Sequence, residues 1–125
     1  MKITPVLIVN EIETSLPFWV DRLGFEKTVE VPEGDKLGFV ILTRNGAELM
    51  LQTVASVAKD TPQFTPRSQT NQSALFMEAD DFEDVLKRLG DYPIAMPERV
   101  AFYGMREIGV FDPNGNVLIF AARIE

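Results

Sequence analysis

Glutamates, aromatic rings and one arginine are the residues of this 125-residue chain whose types and spacing could do chemistry. Glu48, Glu78 and Glu107 fall within apolar, strand-like stretches. A carboxylate held among apolar side chains has its pKa raised toward neutrality, where it can serve as a general base. Arg106 or Tyr103 would then polarise the substrate. Phe39, Phe76, Phe102 and Tyr103 offer stacking surfaces, and Glu48, Glu78 and the net charge of −7 suit a cationic ligand. Glu48 and Glu78 could also hold a hard cation through oxygen ligands. Transition-metal chemistry has little to work with, because the chain contains no histidine and no cysteine. A plainer reading stands beside each of these. Thr43, Glu48 and Glu78 lie near strand ends and can simply meet water, and the aromatic residues can be core.

The composition describes what carries these side chains. A chain of 125 residues, 46% apolar, with eight prolines and eight glycines scattered along it, has the make-up of a single domain able to bury a core without disulfides. No run approaches the length of a membrane span, and the apolar N-terminal residues lead at once into Glu11 and Glu13, unlike a secretory signal. The expectation is a cytoplasmic protein with no membrane partner. Without a basic stripe, an acidic chain has no means of gripping a phosphate backbone, which excludes a nucleic-acid partner.

Residues 3–9 form a β-rich run. A helix is then expected from the spacing of Leu16, Trp19, Val20 and Leu23, with Thr14 or Ser15 as its cap, Pro17 in its first turn and Gly24 as its end. Strand-like runs follow at 25–31, 37–43 and 47–53, broken at 32–35 and at Asn45-Gly46, a pair that accepts the positive φ of a tight hairpin turn. Residues 54–72 are polar and without period, as a linker is. A second reading makes Phe64 and its neighbours a lid.

The pattern then repeats. After a strand at 73–79, Phe82, Val85, Leu86 and Leu89 mark a second helix, with Asp81 as its cap and Gly90 as its end. Strand-like runs follow at 94–96 or 100–103, at 105–111 and at 116–122, with Asn114-Gly115 as the hairpin turn. Asn45 and Asn114 lie 69 positions apart, so the halves are in register. The expected fold is α+β, one domain over residues 1–125. It consists of two βαβββ modules, about 1–53 and 73–125, whose curved mixed sheets surround a groove.

A two-residue turn at Asn45-Gly46 pairs Thr43 with Glu48, Ile41 with Met50 and Phe39 with Gln52 on one face of the sheet. Leu42 with Leu49 and Val40 with Leu51 form the other, purely aliphatic face. The mixed face has the lining expected of a ligand cavity. In the second half, Ala74, Phe76 and Glu78 share a side. The same turn at Asn114-Gly115 pairs Val110 with Ile119 and Ile108 with Ala121, with Arg106 on that face.

Residues 9–19, running through Phe18-Trp19 into Leu23-Gly24-Phe25, together with Tyr103-Gly104-Met105-Arg106-Glu107 and Asp112-Pro113-Asn114-Gly115-Asn116, resemble the vicinal-oxygen-chelate superfamily of glyoxalases, bleomycin-resistance proteins and extradiol dioxygenases. The resemblance spans essentially the whole chain. It implies a divalent-metal site with up to four side-chain ligands, at positions that here read Thr4, Met50, Ala74 and Ile119. The first and third are typically His and the last typically Glu, so no metal or other cofactor is expected. What the resemblance then implies is the metal-free bleomycin-resistance branch, whose homodimers bind a small molecule in grooves without altering it. The ligand positions expected are Phe39, Glu48, Met50 and Gln52 in the first module, and Phe76, Glu78, Phe102, Tyr103, Arg106 and Ile119 in the second. The alternatives are a lyase or isomerase that uses a carboxylate base without metal, its catalytic residue unassigned, and a regulatory subunit with a vestigial groove. Whether the modules pair within a chain or across a swapped dimer is open.

Overall fold

The computed structural model describes residues 2–64 and 73–124. The chain forms two compact units, Met1–Asn71 and Gln72–Glu125. Each contains a four-stranded mixed sheet. The first comprises β1 (Val6–Val9), β2 (Glu26–Glu33), β3 (Lys36–Arg44) and β4 (Ala47–Thr53) in the order β1-β4-β3-β2. The second comprises β5 (Ala74–Glu78), β6 (Met96–Val100), β7 (Met105–Phe111) and β8 (Val117–Arg123) in the order β5-β8-β7-β6. In both, the first strand runs parallel to the last and the remaining pairs are antiparallel. The shared order bears out the α+β architecture of two βαβββ repeats. Among the described residues, no helix is long and apolar enough to cross a membrane.

In the first unit the expected helix is a π-helical segment, Pro17–Arg22, and it has no side-chain cap. The Ser15 amide donates to the Ile12 carbonyl and the Trp19 amide to the Ser15 carbonyl, so the chain enters already turned, and Leu16 at the cap position is itself helical. The extended residue that a Ser or Thr cap requires is therefore missing; the Thr14 hydroxyl donates instead to the Glu11 carbonyl. The wider winding, with the Leu23 amide donating to the Phe18 carbonyl, puts residues five apart on one side. Phe18 joins Trp19 and Leu23 in the core as a result, while Leu16 and Val20 are only half-buried.

Glu13, just before this segment, accepts the Leu37 amide at 2.7 Å and so ties the loop to the start of β3. That bond holds its carboxyl below the ordinary carboxylate range. A depressed native pKa contributes stability above the unfolded value and loses it as pH falls through the native one. Wild type should therefore lose stability relative to Glu13→Gln as pH drops below about 4, measured by urea denaturation at several pH values.

Asn45 and Gly46 both have positive φ, and the β3–β4 register is the expected one throughout. β2 continues through Pro32 and Glu33, into the break expected at 32–35, which narrows to Gly34 and Asp35. It is an edge strand, where the missing proline N–H costs no ladder bond. The stretch expected as linker begins with a helix, α1 (Val54–Asp60), capped by the Thr53 hydroxyl, which accepts the Ser56 amide. It makes barely two turns and buries only Val57, too little for a sequence period to register. A 3₁₀ turn at Pro62–Phe64 follows, with the Phe64 side chain exposed. The rest of the lid reading, residues 65–72, lies outside the described residues.

In the second unit α2 (Phe82–Leu89) buries Phe82, Val85 and Leu89 and ends at Gly90. Asp81 sits at its cap position without a side-chain capping bond. β6 (Met96–Val100) runs from the last residue of one stretch expected for it, 94–96, to the first of the other, 100–103. The larger correction is at the second hairpin, where Val110 pairs with Leu118 and Ile108 with Phe120, one residue away from the expected register. Asn114 does not take positive φ; only Gly115 does, in a loop that keeps five residues, Asp112 to Asn116, out of the ladder. The Asp112 carboxylate organises that loop by accepting the Asn114 amide, the Asn116 amide and the Asn116 side-chain N–H. Proline at 113, with φ fixed near −65°, suits the opening of this wider turn.

Candidate functional site

Alternation gives each sheet one closed and one open face. In the first unit Val40, Leu42, Leu49 and Leu51 are buried, as expected of the aliphatic face. On the other face, register aligns Val6, Met50, Ile41 and Val29 in one row and Ile8, Gln52, Phe39 and Val31 in the next. The outer members of these rows, Val6, Ile8, Val29 and Val31, are 41–48% exposed. Glu48, further along the face, accepts the Lys2 ammonium at 3.1 Å and the Thr4 hydroxyl at 3.3 Å.

At the end of the second row α1 turns the face into a cleft of about 640 Å³. Its apolar surfaces are Val31, Pro32 and Phe39, and its polar lining is Glu33, Gln52 and the α1 residues Ser56, Lys59 and Asp60. The Gln52 amide donates to the Ser56 hydroxyl at 3.1 Å, and the Lys59 ammonium lies 3.3 Å from a Glu33 oxygen. Gly38 permits this close packing, since a Cβ there would lie 2.7 Å from the Glu33 Cβ and 3.3 Å from that of Ser56. Gly38→Ala should cost about 1–2 kcal/mol by overpacking and, by pushing Glu33 and α1 apart, weaken any ligand held in the cleft; denaturation and calorimetry would measure the two effects.

In the second unit Phe76, Ile119, Gly109 and Met96 form one row of the open face, and Glu78, Ala121, Glu107 and Arg99 the next. The register correction therefore exchanges two charged residues. Glu107 lies on the face with Ile119, and Arg106, expected there, lies on the opposite side with Ile108 and Val110. Arg106 sits over the Phe82 ring of α2 at 4.8 Å and binds Glu83 at 2.6 Å and Glu98 at 2.7 Å, bonds that push its guanidinium above its already high ordinary value. It works as a clasp on the helix side.

Glu107 is fully buried. Its Oε1 accepts Nε and Nη2 of Arg99 at 3.2 and 3.1 Å, and its Oε2 accepts the Tyr103 hydroxyl. Tyr103 is half exposed and packs edge-on against a fully exposed Phe102, with 5.1 Å between the rings. Arg99 was missed from sequence because only the β6 register places it opposite Glu107. Lys59, Ser56 and Glu33 were missed because α1 was read as linker.

The structure thus brings Phe39 and Gln52 together in one cleft, places Met50 and Glu48 along the same face, and groups Phe76, Glu78 and Ile119 on the open face of the second sheet. The family model of the glyoxalase/bleomycin resistance protein/dioxygenase superfamily matches residues 3–120, nearly the whole of this duplicated pattern. The chain belongs to that superfamily. No curated protein sequence matches it. Among solved structures, it is similar to TioX from Micromonospora sp. ML1 (TM-score 0.78, 15% identity, covering 98% of this chain and 100% of that one). It is also similar to a lactoylglutathione lyase from Agrobacterium tumefaciens (0.74, 16%, 98% and 92%). A third is a bleomycin resistance determinant encoded on the transposon Tn5 (0.69, 16%, 100% and 99%). At these identities the likeness is one of fold.

The superfamily's metal positions can now be tested on side chains. Met50 pairs with Val6 in the first unit and Ile119 with Phe76 in the second, so the repeat sets the two at equivalent places. Ala74 and Ile119 bring no donor atom, Met50 only a weak thioether, and the Thr4 hydroxyl is spent on Glu48. Such a set does not fit a catalytic divalent metal. Among the described residues no three His, Cys, Asp or Glu side chains group to hold one elsewhere.

Proposed function

We propose that this superfamily member is a cytoplasmic, homodimeric small-molecule binding protein of the bleomycin-resistance type, which sequesters an aromatic or cationic ligand without metal and without altering it. The observation that carries this reading is the cleft on the first sheet, where a phenylalanine and a glutamine from neighbouring strands meet a polar helix face. An apolar floor with a few hydrogen-bonding groups is what sequestration requires. Phe39 and Gln52 are its central contacts. Met50 and Glu48 extend the surface on the first sheet, and Phe76, Glu78, Ile119, Phe102 and Tyr103 are the ligand positions proposed on the second unit. Arg106, held on the helix side, is not among them.

Thermal-shift and calorimetric titration with bleomycin-type glycopeptides and planar cationic compounds test the reading. At least one class should stabilise the protein, and Phe39→Ala should weaken its binding about tenfold through loss of the stacking surface. If no member of either class raises Tm, the reading fails.

A metal-free enzyme is the second reading, favoured by one observation, the Tyr103 hydroxyl on buried Glu107. Because both Glu107 oxygens already have partners, that cluster supports a structural ion pair better than a base ready to take a proton. Turnover of a candidate substrate that disappears in Glu107→Gln while the fold is kept would reverse this preference.

A further inference from the structure

Ser56, Lys59 and Asp60 are spaced three and four apart and lie on one face of α1, looking into the cleft. Lys59 is bonded to Glu33, yet its side chain is 78% exposed, whereas that of Glu33 is only 25% exposed. The carboxylate belongs to the wall and the ammonium reaches it from outside. So exposed an ion pair is held weakly and opens easily. Most of the remaining hydrogen-bonding capacity of the cleft is that of acceptors. Among the described residues, Gln52 uses an amide N–H on Ser56 and leaves its carbonyl oxygen unbonded, one Glu33 oxygen is unspent, and Asp60 makes no hydrogen bond or ion pair. Glu33, Lys59 and Asp60 together leave a negative charge at a site whose floor is Val31, Pro32 and Phe39.

We infer that Lys59 is a tethered stand-in for the cationic group of the ligand. An aryl- or arylalkyl-ammonium displaces the Lys59 Nζ from Glu33, lays its flat apolar part on Phe39, Val31 and Pro32, and donates N–H bonds to Glu33 and the Gln52 carbonyl. The released Lys59 moves into water, which its exposure allows at little cost. The inference rests on the binding reading above and deepens it, since it places the cation on Glu33 instead of Glu48 or Glu78. The Lys2–Glu48 pair is about as exposed as that of Lys59 with Glu33, but Glu48 also accepts the Thr4 hydroxyl and does not line the cleft with its apolar floor.

The test compares 1-naphthylmethylamine with its neutral isostere 1-naphthylmethanol by calorimetry on wild type, Lys59→Met and Glu33→Gln. Wild type should bind the amine more tightly than the alcohol. Lys59→Met, by removing the competitor, should strengthen the amine about threefold and leave the alcohol unchanged, whereas Glu33→Gln should abolish the amine's advantage. Both side chains lie at the surface end of the cleft, and thermal denaturation of each variant confirms the fold. An amine no better than the alcohol in wild type, an unchanged or weakened amine in Lys59→Met, or binding of neither probe overturns the inference. Stabilisation by the glycopeptides would leave the wider binding reading standing in each of those cases, so the two fail separately.

Discussion

Trp19→Ala should lower the stability of the protein by about 3–5 kcal/mol, the cost of truncating a large buried aromatic whose surroundings cannot close over the gap. Trp19 has no exposed surface, and its ring meets Phe18 and Phe25 edge-on with centroids 5.3 and 5.2 Å away. Two T-shaped contacts add to the loss from burial alone. The indole Nε1 is buried and has no hydrogen-bond partner among the described residues. Trp19→Phe therefore forfeits no polar contact and should cost far less, about 1–2 kcal/mol. Chemical denaturation of both variants checks the pair, and equal losses would show that the polar atom matters more than the ring's volume.

The second large effect is an asymmetry between Arg99 and Glu107. Arg99→Ala strands a fully buried carboxylate with a single tyrosine hydroxyl and should cost about 2–3 kcal/mol, below the range for a wholly buried pair because the Arg99 side chain is 55% exposed. Glu107→Gln removes the buried charge and leaves an arginine that water can solvate, at about 1 kcal/mol. The partner nearer the surface is thus the more expensive one to remove. Adding Glu107→Gln to Arg99→Ala should recover stability instead of losing more, a coupling that a double-mutant cycle by urea denaturation reads directly. Additive losses would mean that Glu107 is solvated by groups other than Arg99.

How far the sequence could be read depended on the local chemistry of each turn. Asn45-Gly46 left one favourable conformation, and from it followed every pairing of β3 with β4, the aliphatic closed face and the meeting of Phe39 with Gln52. At Asn114-Gly115 the same dipeptide was overruled by its neighbours. The Asp112 carboxylate gathers three N–H groups, and the loop widens by enough to shift the ladder. Since side chains alternate, that shift moved Arg106 off the open face and put Glu107 on it. α1 was invisible for a different reason. A seven-residue helix that buries one side chain has no period to detect, and its Thr53 cap sits at the end of a strand. The cleft's polar wall could not be seen without it.

The Asp112–Asn116 loop also has a consequence for descent within the family. The two sheets share one strand order but close their hairpins with loops of different length, two residues in the first and five in the second, so loop length as well as strand sequence decides which side chains reach the open face. If one residue were removed and the loop kept its five-residue length by drawing in Phe111, with β8 still paired with β5, Arg106 would move to the open side and Glu107 to the helix side, reversing the charge offered there. Loop length is in this sense an inherited setting of the surface's sign, and small deletions in hairpins can alter what a duplicated domain attracts before any residue on its binding face has changed.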